Sequence, residues 1–277
     1  MHRKNRSSSH IVSELTGPLR SGPLFGFQVR GQVKIPIFET KMTEMIKDVL
    51  SPSMKLADLI DINYRLIGIL PRFGIPLGFG DSTVESICGI HNINAHTFLL
   101  ICNIYTYDNY VPTREHMEKA DMRGIMRYLH NSHSYYLDYE MVTLGESIDK
   151  VTASCDDRQK DIIKRFFAEY KEEVISHFEY EEQTLFPYIE SMLSGKRRKN
   201  YSIGRFEKNH SNIDEKLNDL KNIVMKYLPA GKCDAILCSY LLIHIYSLEQ
   251  DLDRHTSIEN NVLVPMAALY EEHEKGK

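Results

Sequence analysis

Residues 177–187, HFEYEEQTLFP, return near the C-terminus as residues 255–265, HTSIENNVLVP. Both stretches begin with His, carry Glu at plus four, Leu at plus eight and Pro at plus ten. On an α-helix a spacing of four stacks the imidazole and the carboxylate on one face. The neighbouring apolar residues place that face toward a core: Phe166, Tyr170, Val174 and Leu185 share it with His177 and Glu181, and Leu248, Leu252 and Val262 share it with His255 and Glu259. Imidazoles and carboxylates are costly in a core unless they are paired or bind a metal. One H-x-x-x-E carries little weight, since His10 and Glu14 form another in a stretch with no helical period. The doubled pattern on two core-facing stripes carries much more.

The segments around these copies are also helical in period. We read a first long helix from near Asp121 to about Lys150, with Met126, His130, His133 and Leu137 on one stripe. A second runs from Asp156 to Gly195, a third from about Ser202 to Tyr227, and a fourth from about Cys233 to Glu272. The third places Phe206, His210, Ile213, Leu217 and Leu220 at alternating spacings of four and three. Long helices with single seams and short polar connections predict an all-α protein, an antiparallel four-helix bundle over residues 118–277. Ahead of it, MKLADLIDINYRLIGIL, a Gly/Pro turn PRFGIPLGFGD, STVESIC and AHTFLLICNIY predict a small helical module over 42–105, joined by a polar linker, 106–117. Residues 1–41 lack helical periodicity and read as a disordered extension, with Met42 or Met45 as a candidate true start.

Composition narrows the classes of function. The chain has 277 residues, 42% of them hydrophobic, enough for a sizeable core. Its formal charge of -4 comes with no basic, aromatic-interleaved stretch, which argues against a nucleic-acid partner. No run approaches the about 18 apolar residues of a membrane helix, so no membrane partner is expected. The 5 cysteines include no C-x-x-C pair, which suggests neither a disulfide framework nor a zinc knuckle and fits a reducing, cytoplasmic setting.

The remaining signal lies in 12 histidines. His130 and His210 add one seam imidazole each to His177, Glu181, His255 and Glu259. Four imidazoles and two carboxylates converging from four helices suit a dinuclear site for iron, manganese or zinc, with the carboxylates bridging the metals and positions left for a small diatomic molecule. His133, on the same stripe three residues after His130, reads as packing or support for a ligand ahead of ligation itself, Glu173 as a solvated helix charge ahead of a supporting acceptor or proton relay, and His244 as an ordinary histidine off the constellation.

These residues carry a resemblance. The two repeats, with LHNSH in the first helix and FEKNH in the third, resemble the hemerythrin-like (HHE cation-binding) family, and within it the di-iron repair of iron centres proteins. Oxygen-carrying hemerythrins have a further third-helix His and a fourth-helix Asp where this chain has Asp214 and Asn260. The resemblance implies two iron ions per chain, oxo- or hydroxo-bridged and carboxylate-bridged, held by His130, His177, Glu181, His210, His255 and Glu259. It implies repair of iron–sulfur clusters under nitrosative or oxidative stress, with nitric oxide or oxygen as diatomic ligand and damaged iron–sulfur proteins as partners. Iron donation and nitric oxide reduction both remain open under it, as do a diatomic sensor and a metal-storage bundle, and so does the oligomeric state. The module resembles that family's short N-terminal domain, but Gly78 and Phe79 stand where its paired cysteines would be.

Overall fold

The computed structural model describes residues 50–195, 202–204, 214–228 and 233–275. The extension over 1–41, the first residues of the expected module and His210 lie outside the described residues. No strand occurs among the described residues beyond one isolated bridge between Lys55 and Thr83. No described helix is long and apolar enough to cross a membrane.

Among the described residues, four short helices come first: α1 (Leu56–Ile62), α2 (Leu66–Ile69), α3 (Val84–Ile90) and α4 (Ala95–Thr106). Local chemistry sets their starts. The Thr83 hydroxyl accepts the Ser86 N–H ahead of α3, and the Asn94 carboxamide oxygen accepts the Thr97 N–H at 2.9 Å ahead of α4. Between α2 and α3, a 3-10 turn (Pro71–Phe73) ends at Gly74, whose φ of 70° is in the left-handed region that favours glycine. The expected connector is not wholly irregular. It contains α5 (Arg114–Lys119), started by a capping box in which the Thr113 hydroxyl accepts the His116 N–H while His116 Nδ1 accepts the Thr113 N–H.

The bundle follows. Its first helix comprises α6 (Met122–Tyr135), a π-helical turn (Tyr136–Glu140) and α7 (Met141–Thr152). The second comprises α8 (Asp157–Tyr180), a π-helical turn (Glu181–Leu185) and α9 (Phe186–Leu193). The third is described as α10 (Asp214–Tyr227), and the fourth comprises α11 (Ala235–Ile258), a π-helical turn (Glu259–Leu263) and α12 (Val264–Lys275). Each helix packs on its two sequence neighbours and the fourth closes back on the first. Asp121, Asp156 and Asp234 cap the first, second and fourth helices. Gly145 lets the first and second helices approach, since a Cβ there would come within 3.1 Å of the Phe167 ring.

Proline accounts for two of the π-helical turns. Pro187 and Pro265 have no N–H to return to the carbonyls four residues back, at Gln183 and Asn261. In both copies the helix widens just upstream: the Phe186 N–H reaches five residues back to Glu181, and the Val264 N–H likewise reaches Glu259. The repeat's Glu and Pro therefore bound the same local irregularity.

The apolar interior forms two clusters. One joins the opening helices to one end of the bundle through Leu56, Phe98, Ile101, Leu129, Leu185, Phe186, Ile258 and Val262. The other fills the opposite end with Tyr136, Leu144, Phe166, Tyr170, Phe178, Leu220, Ile245 and Leu252. His133, His177, Glu181, His255 and Glu259 occupy the boundary between them on the first, second and fourth helices.

Candidate metal centre

Burial sets the chemistry of this boundary. His133, His177 and His255 are 3%, 6% and 1% exposed, and Glu181 and Glu259 are 0% exposed. Ligand atoms of His133, Glu181, His255 and Glu259 all lie within 4.8 Å of one another. His133 Nε2 is 3.1 Å from Glu181 Oε2 and 3.1 Å from His255 Nε2. His177 Nε2 lies 3.0 Å from Glu181 Oε1, and His255 Nε2 lies 2.8 Å from Glu259 Oε1. Glu181 thus turns one oxygen toward each of two imidazoles from different helices.

The first helix requires a correction. His130, expected as its ligand, is an exposed residue whose Nδ1 meets Glu182 Oε1 at 2.9 Å on the outside of the bundle. His133, expected to pack or support, reaches the cluster instead. Helical geometry explains the exchange. The buried face runs through Ile125, Met126, Leu129, Ser132, His133 and Tyr136, so its centre follows the step of four from Leu129 to His133. A step of three back from His133 brings His130 to the rim.

Glu182 fixes the orientation of His133. Its Oε1 is 2.8 Å from His133 Nδ1, which leaves Nε2 aimed at Glu181 and His255. The Phe178 ring stacks on His133 with centroids 4.2 Å apart, Phe186 lies parallel at 5.7 Å, and Tyr136 meets His255 edge-on at 5.5 Å. Burial disfavours charge on His133, but hydrogen bonds to Glu181 and Glu182 and the charges of Glu181 and Glu259 raise its pKa to about 9.

The donor set suits a metal cation. The only buried Lys or Arg side chains among the described residues are Lys221 and Arg72, and they pair elsewhere, with Glu249 and Asp251. His255 Nδ1 is buried with no hydrogen-bond partner among the described residues. Carboxylate and imidazole together fit iron, manganese or zinc.

Other residues singled out in the sequence lie elsewhere. Glu173 pairs with Lys216 and is half exposed, His244 Nε2 meets Glu140 at 2.7 Å away from the centre, and Asn260 is exposed. Tyr170 is a core residue.

Sequence reading gave no sign of Arg72. From the Gly/Pro turn its guanidinium enters the bundle, where Nη1 donates to Asp251 Oδ1 at 3.0 Å, to the Tyr105 hydroxyl at 3.1 Å and to the Tyr136 hydroxyl at 3.2 Å, and Nη2 pairs with Asp251 Oδ2. Tyr105 donates to Asp251 Oδ1 at 2.5 Å, and the Asn131 amide holds the Arg72 carbonyl at 2.7 Å. Burial would raise the Asp251 pKa, but Arg72 and these hydrogen bonds hold it below the ordinary carboxylate value. Asp251 is one helical turn before His255, and Tyr136 is three residues after His133, so the network braces both helices beside the centre.

A four-helix bundle that sets imidazoles and carboxylates at one buried level on its first, second and fourth helices has the form of a hemerythrin-like bundle with a cation-binding core. Comparison with known proteins agrees: residues 139–267 match the Hemerythrin HHE cation binding domain. The Iron-sulfur cluster repair protein YtfE of Enterobacter sp. (strain 638) is 30% identical over 155 residues, covering 47% of this chain and 69% of the relative. The protein of that name from Salmonella paratyphi B is 28% identical over 144 residues, covering 52% of this chain and 62% of the relative. The chain belongs to this hemerythrin-like family, which includes the iron–sulfur cluster repair proteins. It spans about two thirds of the length of the relatives it matches.

Proposed function

We propose that the protein holds a dinuclear iron centre and acts in the repair of iron–sulfur clusters under nitrosative or oxidative stress. The observation that carries this reading is the placement of Glu181 between His133 and His177, with His255 and Glu259 completing the buried cluster. Glu181, with one oxygen near each of two imidazoles, would hold the metal together with both of them. His133, His177, Glu181, His255 and Glu259 would hold the metals, with His210 as the third-helix contribution. Iron bound there would supply one-electron chemistry, nitric oxide binding and a transferable metal ion.

The chain's own residues set the conditions for that chemistry. Glu182 keeps the His133 ring turned inward, Phe178 and Phe186 wall it from water, and the Arg72 network fixes the heights of Tyr136 and Asp251. An imidazole centre that gives up its metal when protonated is suited to iron delivery. Damaged iron–sulfur proteins are the proposed recipients, and nitric oxide is the proposed diatomic ligand. The third-helix Asp214 and the exposed Asn260 argue against the oxygen-carrier donor set.

Anaerobic purification with metal analysis, followed by optical spectra before and after nitric oxide or air, tests this reading. The expected result is two irons per chain, a spectral change with nitric oxide and oxidation in air without a reversible oxygen complex. Stable, reversible oxygen binding with no response to nitric oxide would contradict it.

A further inference from the structure

A second cluster of reactive side chains occupies one end of the bundle. Cys155 lies in the turn between the first and second helices, Cys233 just before α11, and Cys238 in the first turn of α11. The Sγ atoms of Cys155 and Cys233 are 3.5 Å apart, and Cys238 hydrogen-bonds Cys233. From His133 to the end of α7 the first helix rises roughly 30 Å, which separates these thiols from the metal centre. All three cysteines are partly exposed, whereas Cys88 and Cys102 are buried in the core of the opening helices.

We propose that Cys155 and Cys233 form a reversible disulfide when a hydroperoxide reaches the protein, with Cys238 as the adjacent thiol available for exchange. The contact is between non-bonded sulfurs, and bond formation requires them to close to about 2.05 Å. Neither sulfur is locked in a helix interior. Cys155 is held by its N–H to the Thr152 carbonyl at 3.1 Å, and Cys233 precedes the Asp234 cap, so both backbones can move without breaking a bundle helix. Cys238 is fixed by its N–H to the Asp234 carbonyl at 3.0 Å.

The chemistry balances with hydrogen peroxide as oxidant. The Cys233 thiolate attacks one peroxide oxygen, the O–O bond breaks, and the departing hydroxide takes a proton to become water. The resulting sulfenic acid is attacked by the Cys155 sulfur, which forms the S–S bond and releases a second water. Two thiols lose two electrons and two protons, and one peroxide becomes two waters. Burial first and the hydrogen bond to Cys233 second push the Cys155 thiol up to about 12, which makes Cys155 the less ready attacker on peroxide. The bond would staple the first interhelical turn to the start of the fourth helix and close a loop containing the second and third helices.

The test treats the reduced full chain with hydrogen peroxide, counts free thiols and maps peptides under non-reducing conditions. The expected result is the loss of two thiols and of two hydrogens in mass, a linked pair of peptides carrying Cys155 and Cys233, and reversal by dithiothreitol. Cys88 and Cys102 should remain free. Cys233→Ser and, independently, Cys155→Ser should each abolish the linked peptide, while Cys102→Ala should leave it. The proposal is overturned if Cys155 and Cys233 are recovered as separate sulfinic acids, if they stay reduced while methionines oxidise, or if a zinc ion held by the three thiols prevents linkage.

Discussion

Two buried polar clusters lie within a turn of each other on the same helices, and their charge balance differs. Around Arg72 a guanidinium meets one carboxylate, and three tyrosine hydroxyls lie within hydrogen-bond reach of it. Around His133 two carboxylates with no exposure face imidazoles, and the buried Arg72 and Lys221 cations are engaged elsewhere. The first cluster contains its own cation and behaves as structure. The second sets its carboxylates against imidazoles, which become charged only by taking up a proton, and a metal ion can take the place of that proton. Burial alone does not distinguish scaffold from site; the identity of the counter-charge does.

The largest expected effect breaks the first cluster. Arg72→Ala leaves Asp251 in the interior without its cation and should cost about 3–5 kcal/mol, read as a lower urea midpoint. The double variant Arg72→Met/Asp251→Leu should recover most of that loss, because removing both charges also removes the burial penalty. Equal damage from single and double variants would show that packing of the opening helices, not charge balance, is at stake.

Next, Glu259→Ala should remove most of the bound iron while the metal-free chain retains its helical circular dichroism. His255→Ala should behave the same way, and His244→Ala should leave iron content unchanged, since His244 pairs with Glu140 away from the centre. If both fourth-helix variants kept full iron, the two clusters would not differ in the way described.

A smaller effect is expected with pH. The folded pKa of Asp251 lies below its ordinary value, so its contribution to stability is full above about pH 5 and is lost as pH falls through the folded pKa. The urea midpoint of the wild type should therefore fall more steeply below about pH 4 than that of the Arg72→Met/Asp251→Leu variant. Parallel profiles would remove Asp251 from the account. Smallest of all, a chain beginning at Met42 should keep its iron and its helical content, as expected of a segment without helical periodicity.

Legibility in the sequence followed the range of the interactions. The limits of the first, second and fourth helices and the inward face of His177, Glu181, His255 and Glu259 were readable because each rests on spacing within one helix, and the repeat of His, Glu, Leu and Pro appears twice. His133 was misread against His130 because a helix with steps of three and four admits two seams about 60° apart, and only packing by Leu129 and Ser132 selects one. The prolines were visible, but the π-helical turns they accompany were not, since widening depends on carbonyls upstream finding new donors. Arg72 and the Cys155–Cys233 contact were invisible for another reason: each joins segments far apart in the chain, and no periodicity connects them.

The central claim is that the buried cluster is a metal centre completed from the first helix by His133. Iron content per folded chain, measured after anaerobic reconstitution of His133→Ala and His130→Ala side by side, tests it most directly. The account predicts that His133→Ala loses most of its iron while His130→Ala, altered only at the bundle rim, stays near wild type. Full iron in His133→Ala together with loss in His130→Ala would contradict it.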